Sequence, residues 1–322
     1  MWGRYLRQCP FRSPHSISGA RDGKQKSQRM TATGRPVLRF APSPNGPLHL
    51  GHALSALTGL AWARRLDGRY LLRIEDIDPE RSSEAHVEGI FRDLAWLGVP
   101  WEEPVLRQSQ HLDRYAAAAA RLAELGLLYP CFASRREIAE ASAAGGMARD
   151  PDGAPLYPGL HRGMPAAEAA ARRQRGEPFV MRLDMARALA LARDRLDGTP
   201  LAFVELDESG AAQSLLCDPA RWGDVVIQRK DVPTSYHLSV VADDAEQGIT
   251  HVTRGRDLFA ATDIHCLLQI LLGLPTPLYA HHRLIVDESG RKLAKSAHDT
   301  SLAELRAAGA TPSDIRRMIG LS

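Results

Sequence analysis

Between residues 42 and 47 no regular element can run. Pro42, Pro44, Asn45-Gly46 and Pro47 remove backbone donors and favour turns within six positions. The flanks are ordered by pattern. Val37–Ala41 reads as a short apolar strand, and a helix pattern runs from about His52 to Leu66. The same order then repeats. Tyr70–Ile74 reads as a strand running into the acidic Glu75-Asp76-Ile77-Asp78. Val87, Ile90, Phe91, Leu94 and Leu97 then mark one face of a helix. Strand, helix, strand, helix is the order of a parallel doubly wound sheet, and the forced loop lies where such sheets bind ligands.

From about Tyr129 to Trp222 the pattern loosens. Gly145-Gly146, Asp152-Gly153 and Pro158-Gly159 mark turns between Ala/Arg-rich helices, so residues 129–221 are expected to form an inserted, smaller α+β domain. Strand and helix patterns return at Asp224–Gln228, His251–Thr253 and Thr262–Leu272. A hairpin is expected around Leu284–Val286 and Glu288-Ser289-Gly290, leading to a basic loop. Two short helices close the chain, one opened by the capping box Ser301-x-x-Glu304 and one by Thr311-Pro312.

Charge narrows the function classes. The net charge of +3 is local, because residues 1–29 carry seven Lys/Arg against Asp22 alone. Without them 34 basic and 37 acidic residues remain, so a nucleic-acid contact must use a local patch. That leading segment (residues 1–34) is expected to be a disordered or mis-started basic tail, a transit peptide being the other reading. No run of 18 apolar residues exists, and four scattered cysteines without a Cys-x-x-Cys favour a reducing, cytoplasmic setting.

Two segments carry chemistry. In His49-Leu50-Gly51-His52, at the start of the first helix, two histidines can face a triphosphate, and Gly51 permits close approach of a base or ribose. The same pair also reads as a helix cap with no ligand. The loop Lys292-Leu293-Ala294-Lys295-Ser296 places two lysines where they can neutralise a pyrophosphate leaving group, or be merely solvated.

In order and spacing these segments resemble the two signatures of class I aminoacyl-tRNA synthetases. Arg39-Phe40-Ala41-Pro42-Ser43, Arg73-x-Glu75-Asp76-x-Asp78, Tyr236 through Asp243-Asp244, and Gly248 through Arg254-Gly255 resemble the glutamyl branch across roughly residues 37–296. The resemblance implies an α/β, Rossmann-type doubly wound parallel sheet formed by residues 35–128 and 222–296, followed by a short helical tail at 297–322. It implies that His49, His52, Lys292 and Lys295 are catalytic, with ATP, accompanied by Mg2+, held at His49, Gly51, His52 and Lys295. It implies a glutamate pocket of Arg39, Phe40, Ala41, Pro42, Ser43, Glu75, Tyr236 and Arg254, in which a guanidinium grips a carboxylate and Glu75 pairs with the substrate ammonium.

Two departures stand out. Ala294 replaces the usual serine of the second signature, from which some loss of rate is expected. Relatives often place zinc ligands at positions matching Cys131, Ala133, Tyr157 and His161. Alanine cannot ligate, so no bound zinc is expected.

Only 26 residues follow Ser296, too few for a helical anticodon-reading domain. The chain therefore resembles the short paralogues of this branch. That implies a monomeric ligase that activates L-glutamate without tRNA and transfers it to queuosine in the anticodon of tRNA(Asp). The alternatives are a minimal glutamyl-tRNA synthetase charging the 3′ end, another nucleotidyltransferase, and a non-catalytic synthetase-like binding protein.

Overall fold

The computed structural model describes residues 34–146, 148–285 and 300–321. In chain order these form β1 (Val37–Phe40), α1 (Leu50–Arg65), β2 (Arg69–Ile74), α2 (Glu84–Leu97), β3 (Glu102–Arg107), α3 (Leu112–Glu124) and β4 (Leu128–Cys131). Next come α4 (Arg135–Ala144), α5 (Ala166–Gln174), β5 (Val180–Leu183), α6 (Met185–Arg195), β6 (Ala202–Leu206), β7 (Ala212–Leu216) and β8 (Val226–Gln228). The last are α7 (Tyr236–Glu246), β9 (His251–Gly255), α8 (Thr262–Leu272), β10 (Leu278–His282), α9 (Leu302–Ala307) and α10 (Pro312–Met318).

β1, β2 and β3 pair in parallel, and so do β9, β10 and β6, with β7 closing antiparallel on β6. Thr250 stitches the two sheets together: its N–H donates to the Val37 carbonyl at 2.9 Å, and its hydroxyl accepts from the Val37 N–H at 2.8 Å. The strand order thus reverses between β1 and β9, and the crevice above that point is where doubly wound sheets bind ligands.

Side chains alternate across β1. Leu38 and Phe40 enter a core shared with α1, α2, α9 and α10, whereas Val37 faces Leu71, Val252 and Tyr279. Helix α1 lies close on the sheet because Gly59 has no side chain; a Cβ there would sit 2.6 Å from the Tyr70 hydroxyl and 2.9 Å from Thr253 Oγ1. Helix α2 has its apolar face at Val87, Ile90, Leu94 and Leu97, begins at Ser83, whose hydroxyl accepts from the His86 N–H, and ends at left-handed Gly98. The capping boxes at Ser301 and Thr311 open α9 and α10.

Three expectations change. The Asp224–Gln228 strand forms as β8 but pairs antiparallel with β5, in a separate sheet of order β4-β5-β8. Its backbone partners, not its apolar pattern, decide its sheet. Residues 202–216, read from sequence as insertion, instead form β6 and β7, and β6 pairs with β10. The strand expected from Leu284 lies earlier, at Leu278–His282, where Tyr279 and Ala280 are buried against β9; Leu284 and Ile285 are outside any strand. The basic loop with Lys292, Ala294 and Lys295 lies outside the described residues.

Candidate active site

The switch point opens into a cavity of about 510 Å3. Into it the fold brings Arg39, Phe40, Ala41, Pro42 and Ser43 from the end of β1, Glu75 from the end of β2, and His49, Gly51 and His52 from the start of α1. Tyr236 from the start of α7 and Arg254 from β9 complete the set. Sequence reasoning had separated these residues by up to 215 positions, and the parallel register places them at one edge.

The two signature histidines are a helix cap. His49 Nδ1 accepts from the Gly51 N–H at 3.0 Å, and His52 Nδ1 accepts from the His49 N–H at 3.2 Å, a reciprocal box made of imidazoles. With each Nδ1 accepting, the ring proton of a neutral histidine sits on Nε2, a donor suited to phosphate oxygen. A Cβ on Gly51 would lie 2.9 Å from His49 Cε1, so this glycine is needed by the cap itself. Cap and phosphate reading are therefore compatible.

Below the histidines lies a buried ion network. Arg39 donates to both oxygens of Asp244, at 2.9 and 3.3 Å. Arg73 reaches the same carboxylate at 2.8 Å, Glu75 at 3.2 Å and the Gln247 side-chain oxygen at 2.9 Å. Burial disfavours the Asp244 carboxylate, but Arg39 and Arg73 outweigh it and hold its pKa below the usual range. Glu75 moves the other way, because burial exceeds the opposing pull of Arg73 and Arg39.

Arg254 is held differently. Its Nε–H donates to His281 Nε2 at 3.1 Å, and its terminal nitrogens meet His265 Nδ1 at 2.9 Å and the Thr262 hydroxyl at 2.7 Å. No carboxylate lies within salt-bridge distance of it among the described residues. His265 faces His237 at 3.2 Å, and Tyr236 packs its ring near both. Burial first, and the Arg254 charge second, hold His237 near a pKa of about 4 and His265 well below its ordinary value. Three of the five guanidinium N–H groups are spent, which leaves two for a ligand in the cavity.

Sequence reasoning missed the supporting residues: Asp244 as partner of Arg39, and Thr262, His265 and His281 as partners of Arg254. One signal was present, since Asp243-Asp244 directly follows the apolar Val240-Val241-Ala242 in α7, and both are buried. Asp257, His282 and Arg283 also line the cavity.

The expected degenerate zinc positions meet in the insertion but do not fit a metal. Cys131 Sγ is 3.3 Å from the Tyr157 hydroxyl, and His161 Nδ1 accepts from the Phe132 N–H. His161 Nε2 faces the Arg172 guanidinium at 3.2 Å, a cation where a second cation would have to bind. Ala133 supplies no donor, so fewer than the four ligands of a structural zinc site are present.

Known proteins share this fold. The glutamate-tRNA synthetase of Elizabethkingia anophelis superposes with a TM-score of 0.70 at 26% identity, covering 89% of this chain and 61% of that one. The chain thus spans less than two thirds of the solved protein. The fold is that of a class I aminoacyl-tRNA synthetase catalytic domain, which makes the chain a ligase. Residues 37–322 match the catalytic-domain model of the class I tRNA synthetases (E and Q), and the chain belongs to that family. It is 47% identical to the glutamyl-Q tRNA(Asp) synthetase of Rhodobacter capsulatus, across 88% of this chain and 100% of that protein. It is 36% identical to a glutamate–tRNA ligase of Synechococcus, but covers only 56% of it. No helix among the described residues is long and apolar enough to cross a membrane.

Proposed function

We propose that the protein, in the cytoplasm, activates L-glutamate with MgATP in the absence of tRNA. It then transfers the glutamyl group to a hydroxyl of queuosine in the anticodon of tRNA(Asp). The observation that carries the glutamate half is Arg254: a buried guanidinium facing the cavity whose protein partners are all neutral. The side-chain carboxylate of glutamate would supply its counter-charge bidentately, with Glu75 taking the ammonium and Tyr236 closing the wall. That leaves the α-carboxylate to attack the α-phosphate. A carboxylate oxygen bonds to phosphorus and pyrophosphate departs, its charge met by Nε2–H groups of His49 and His52 and by Lys292 and Lys295. The acceptor hydroxyl next attacks the activated carbonyl, forming the ester and releasing AMP. The queuosine half is supported by similarity to a full-length glutamyl-Q tRNA(Asp) synthetase, against partial coverage of a glutamate–tRNA ligase.

The test is to incubate protein, ATP and labelled glutamate with total tRNA from cells able and unable to make queuosine, then digest and map the label. Label in the anticodon of queuosine-bearing tRNA only is expected. Label on the terminal adenosine, or equal labelling of both pools, would replace this reading with a minimal glutamyl-tRNA synthetase. Absence of glutamate-dependent ATP–pyrophosphate exchange would point to a non-catalytic binding protein.

A further inference from the structure

We propose that Glu205 is a positioning residue for amino-acid selection: by fixing the tautomer of His281, it sets the aim of Arg254. This rests on the reading of Arg254 as the group that binds the substrate's side-chain carboxylate. Glu205 lies on β6, outside the cavity lining, and no signature motif contains it. Its Oε1 accepts from the His281 backbone N–H at 2.9 Å, and its Oε2 is 2.8 Å from His281 Nδ1. His281 Nε2 lies 3.1 Å from Arg254 Nε.

Donor and acceptor roles in this chain are forced from both ends. A guanidinium nitrogen only donates, so His281 Nε2 must accept. The ring proton of the neutral imidazole therefore sits on Nδ1 and points at Glu205, which as a carboxylate only accepts. With the proton on Nδ1 the bonds to both Glu205 Oε2 and Arg254 Nε are satisfied, and the Thr262 hydroxyl, 3.4 Å from Nε2, can add to the second; with the proton on Nε2 neither is. The carboxylate also stands one imidazole away from Arg254. It steadies the cation without touching it, so it leaves the guanidinium edge open to a ligand's own carboxylate.

This assignment predicts an unusual sensitivity to an isosteric change. In Glu205→Gln the backbone N–H of His281 holds the amide oxygen, which leaves the amide NH2 facing Nδ1. A donor then meets Nδ1–H, the ring moves its proton to Nε2, and Nε2–H meets Arg254 Nε–H. A merely packing residue would tolerate the same substitution. His281→Gln removes the dependence, because an amide can turn either edge to Arg254.

Two measurements on the full chain decide it. Nitrogen-15 histidine spectra of the unaltered protein should show His281 as the Nδ1–H tautomer, and Glu205→Gln should convert it to Nε2–H. In ATP–pyrophosphate exchange without tRNA, Glu205→Gln should raise the KM for glutamate about tenfold, the scale of one misdirected buried hydrogen bond. The KM for ATP should stay unchanged, and the preference for glutamate over glutamine should fall. In the His281→Gln background, Glu205→Gln should have no added effect. An Nε2–H tautomer in the unaltered protein, or an unchanged glutamate KM in Glu205→Gln, overturns the inference while leaving the synthetase reading intact. Absence of glutamate-dependent exchange in the unaltered protein overturns both.

Discussion

Arg39 and Arg254 are buried to the same degree, each 5% exposed, on adjacent strand ends of one cavity, yet they solve opposite problems. Arg39 and Arg73 share the Asp244 carboxylate, with Glu75 beside them, so that cluster balances its charge within the protein. Arg254 is surrounded by two imidazoles and a hydroxyl, which take three of its N–H groups without cancelling its charge. Burying a cation without a partner costs several kcal/mol, and a protein keeps such a group where a ligand supplies the counter-charge. The lesson is that similar burial and similar geometry do not make two arginines equivalent, because the charge of their partners differs.

The largest expected effect falls on Arg254. Replacing it by alanine should lower kcat/KM for glutamate in pyrophosphate exchange by about a thousandfold, the equivalent of losing a buried charge pair of roughly 4 kcal/mol. The melting temperature should fall less than in Arg39→Ala, because no carboxylate is orphaned. If Arg254→Ala unfolds the protein while retaining activity per folded molecule, the distinction is wrong.

Arg39→Ala should instead act chiefly on stability. It removes one of the two guanidinium partners of Asp244, a group itself buried, at a cost of about 3 kcal/mol read from denaturant melts. Activity loss should track the folded fraction more closely than in Arg254→Ala. A stable Arg39→Ala protein with no glutamate activation would return Arg39 to the role of carboxylate grip that its motif suggests.

A smaller effect should follow pH. Burial lowers the pKa of His161, His237, His251, His265, His281 and His282. In the window from about 6.5 down to about 4 the unfolded chain therefore binds more protons than the native one, and stability falls as pH falls. Glu75, Asp93, Asp152 and Asp263, all raised by burial, oppose this. Stability, read from denaturant melts, should therefore be lower at pH 5 than at pH 7. A flat profile there would mean that the histidines around Arg254 are already charged, which contradicts the neutral cage.

How much of this was legible follows the range of each interaction. Helix α1 and its histidines were readable because the cap, the glycine and the proline-rich loop are neighbours in sequence, and Thr262–Leu272 was placed to the residue from its apolar run. Resemblance to a family supplied the long-range grouping of Arg39, Glu75, Tyr236 and Arg254. Neither source revealed which arginine was neutralised, since Asp244 lies 205 positions from Arg39 and the pair forms only when β1 and α7 pack. Glu205 was hidden for a related reason. Its segment reads as insertion until β6 pairs with β10, and nothing local marks a strand that joins a sheet 70 residues later.

The insertion gives the last and smallest test, because there the expected effect is nil. Relatives with a metal balance thiolate charge with zinc, whereas here the Arg172 guanidinium sits over the Phe132 ring and against His161, and Arg182 covers the Tyr157 ring. Positive charge is therefore already supplied by the chain, and Cys131 serves as a buried donor to Tyr157. A zinc ion would have to displace a cation, break the His161 contact to the Phe132 N–H and find a fourth ligand where Ala133 stands. We expect well under one zinc per chain by elemental analysis, and a melting temperature unmoved by chelator. Arg172→Ala, by contrast, should loosen the insertion by about 1 kcal/mol, the worth of a partly exposed cation–π contact. Stoichiometric zinc, or a chelator-sensitive melt, would show that a metal and not arginine carries the charge there, and would weaken the rule drawn from the active site that partner charge assigns a residue's role.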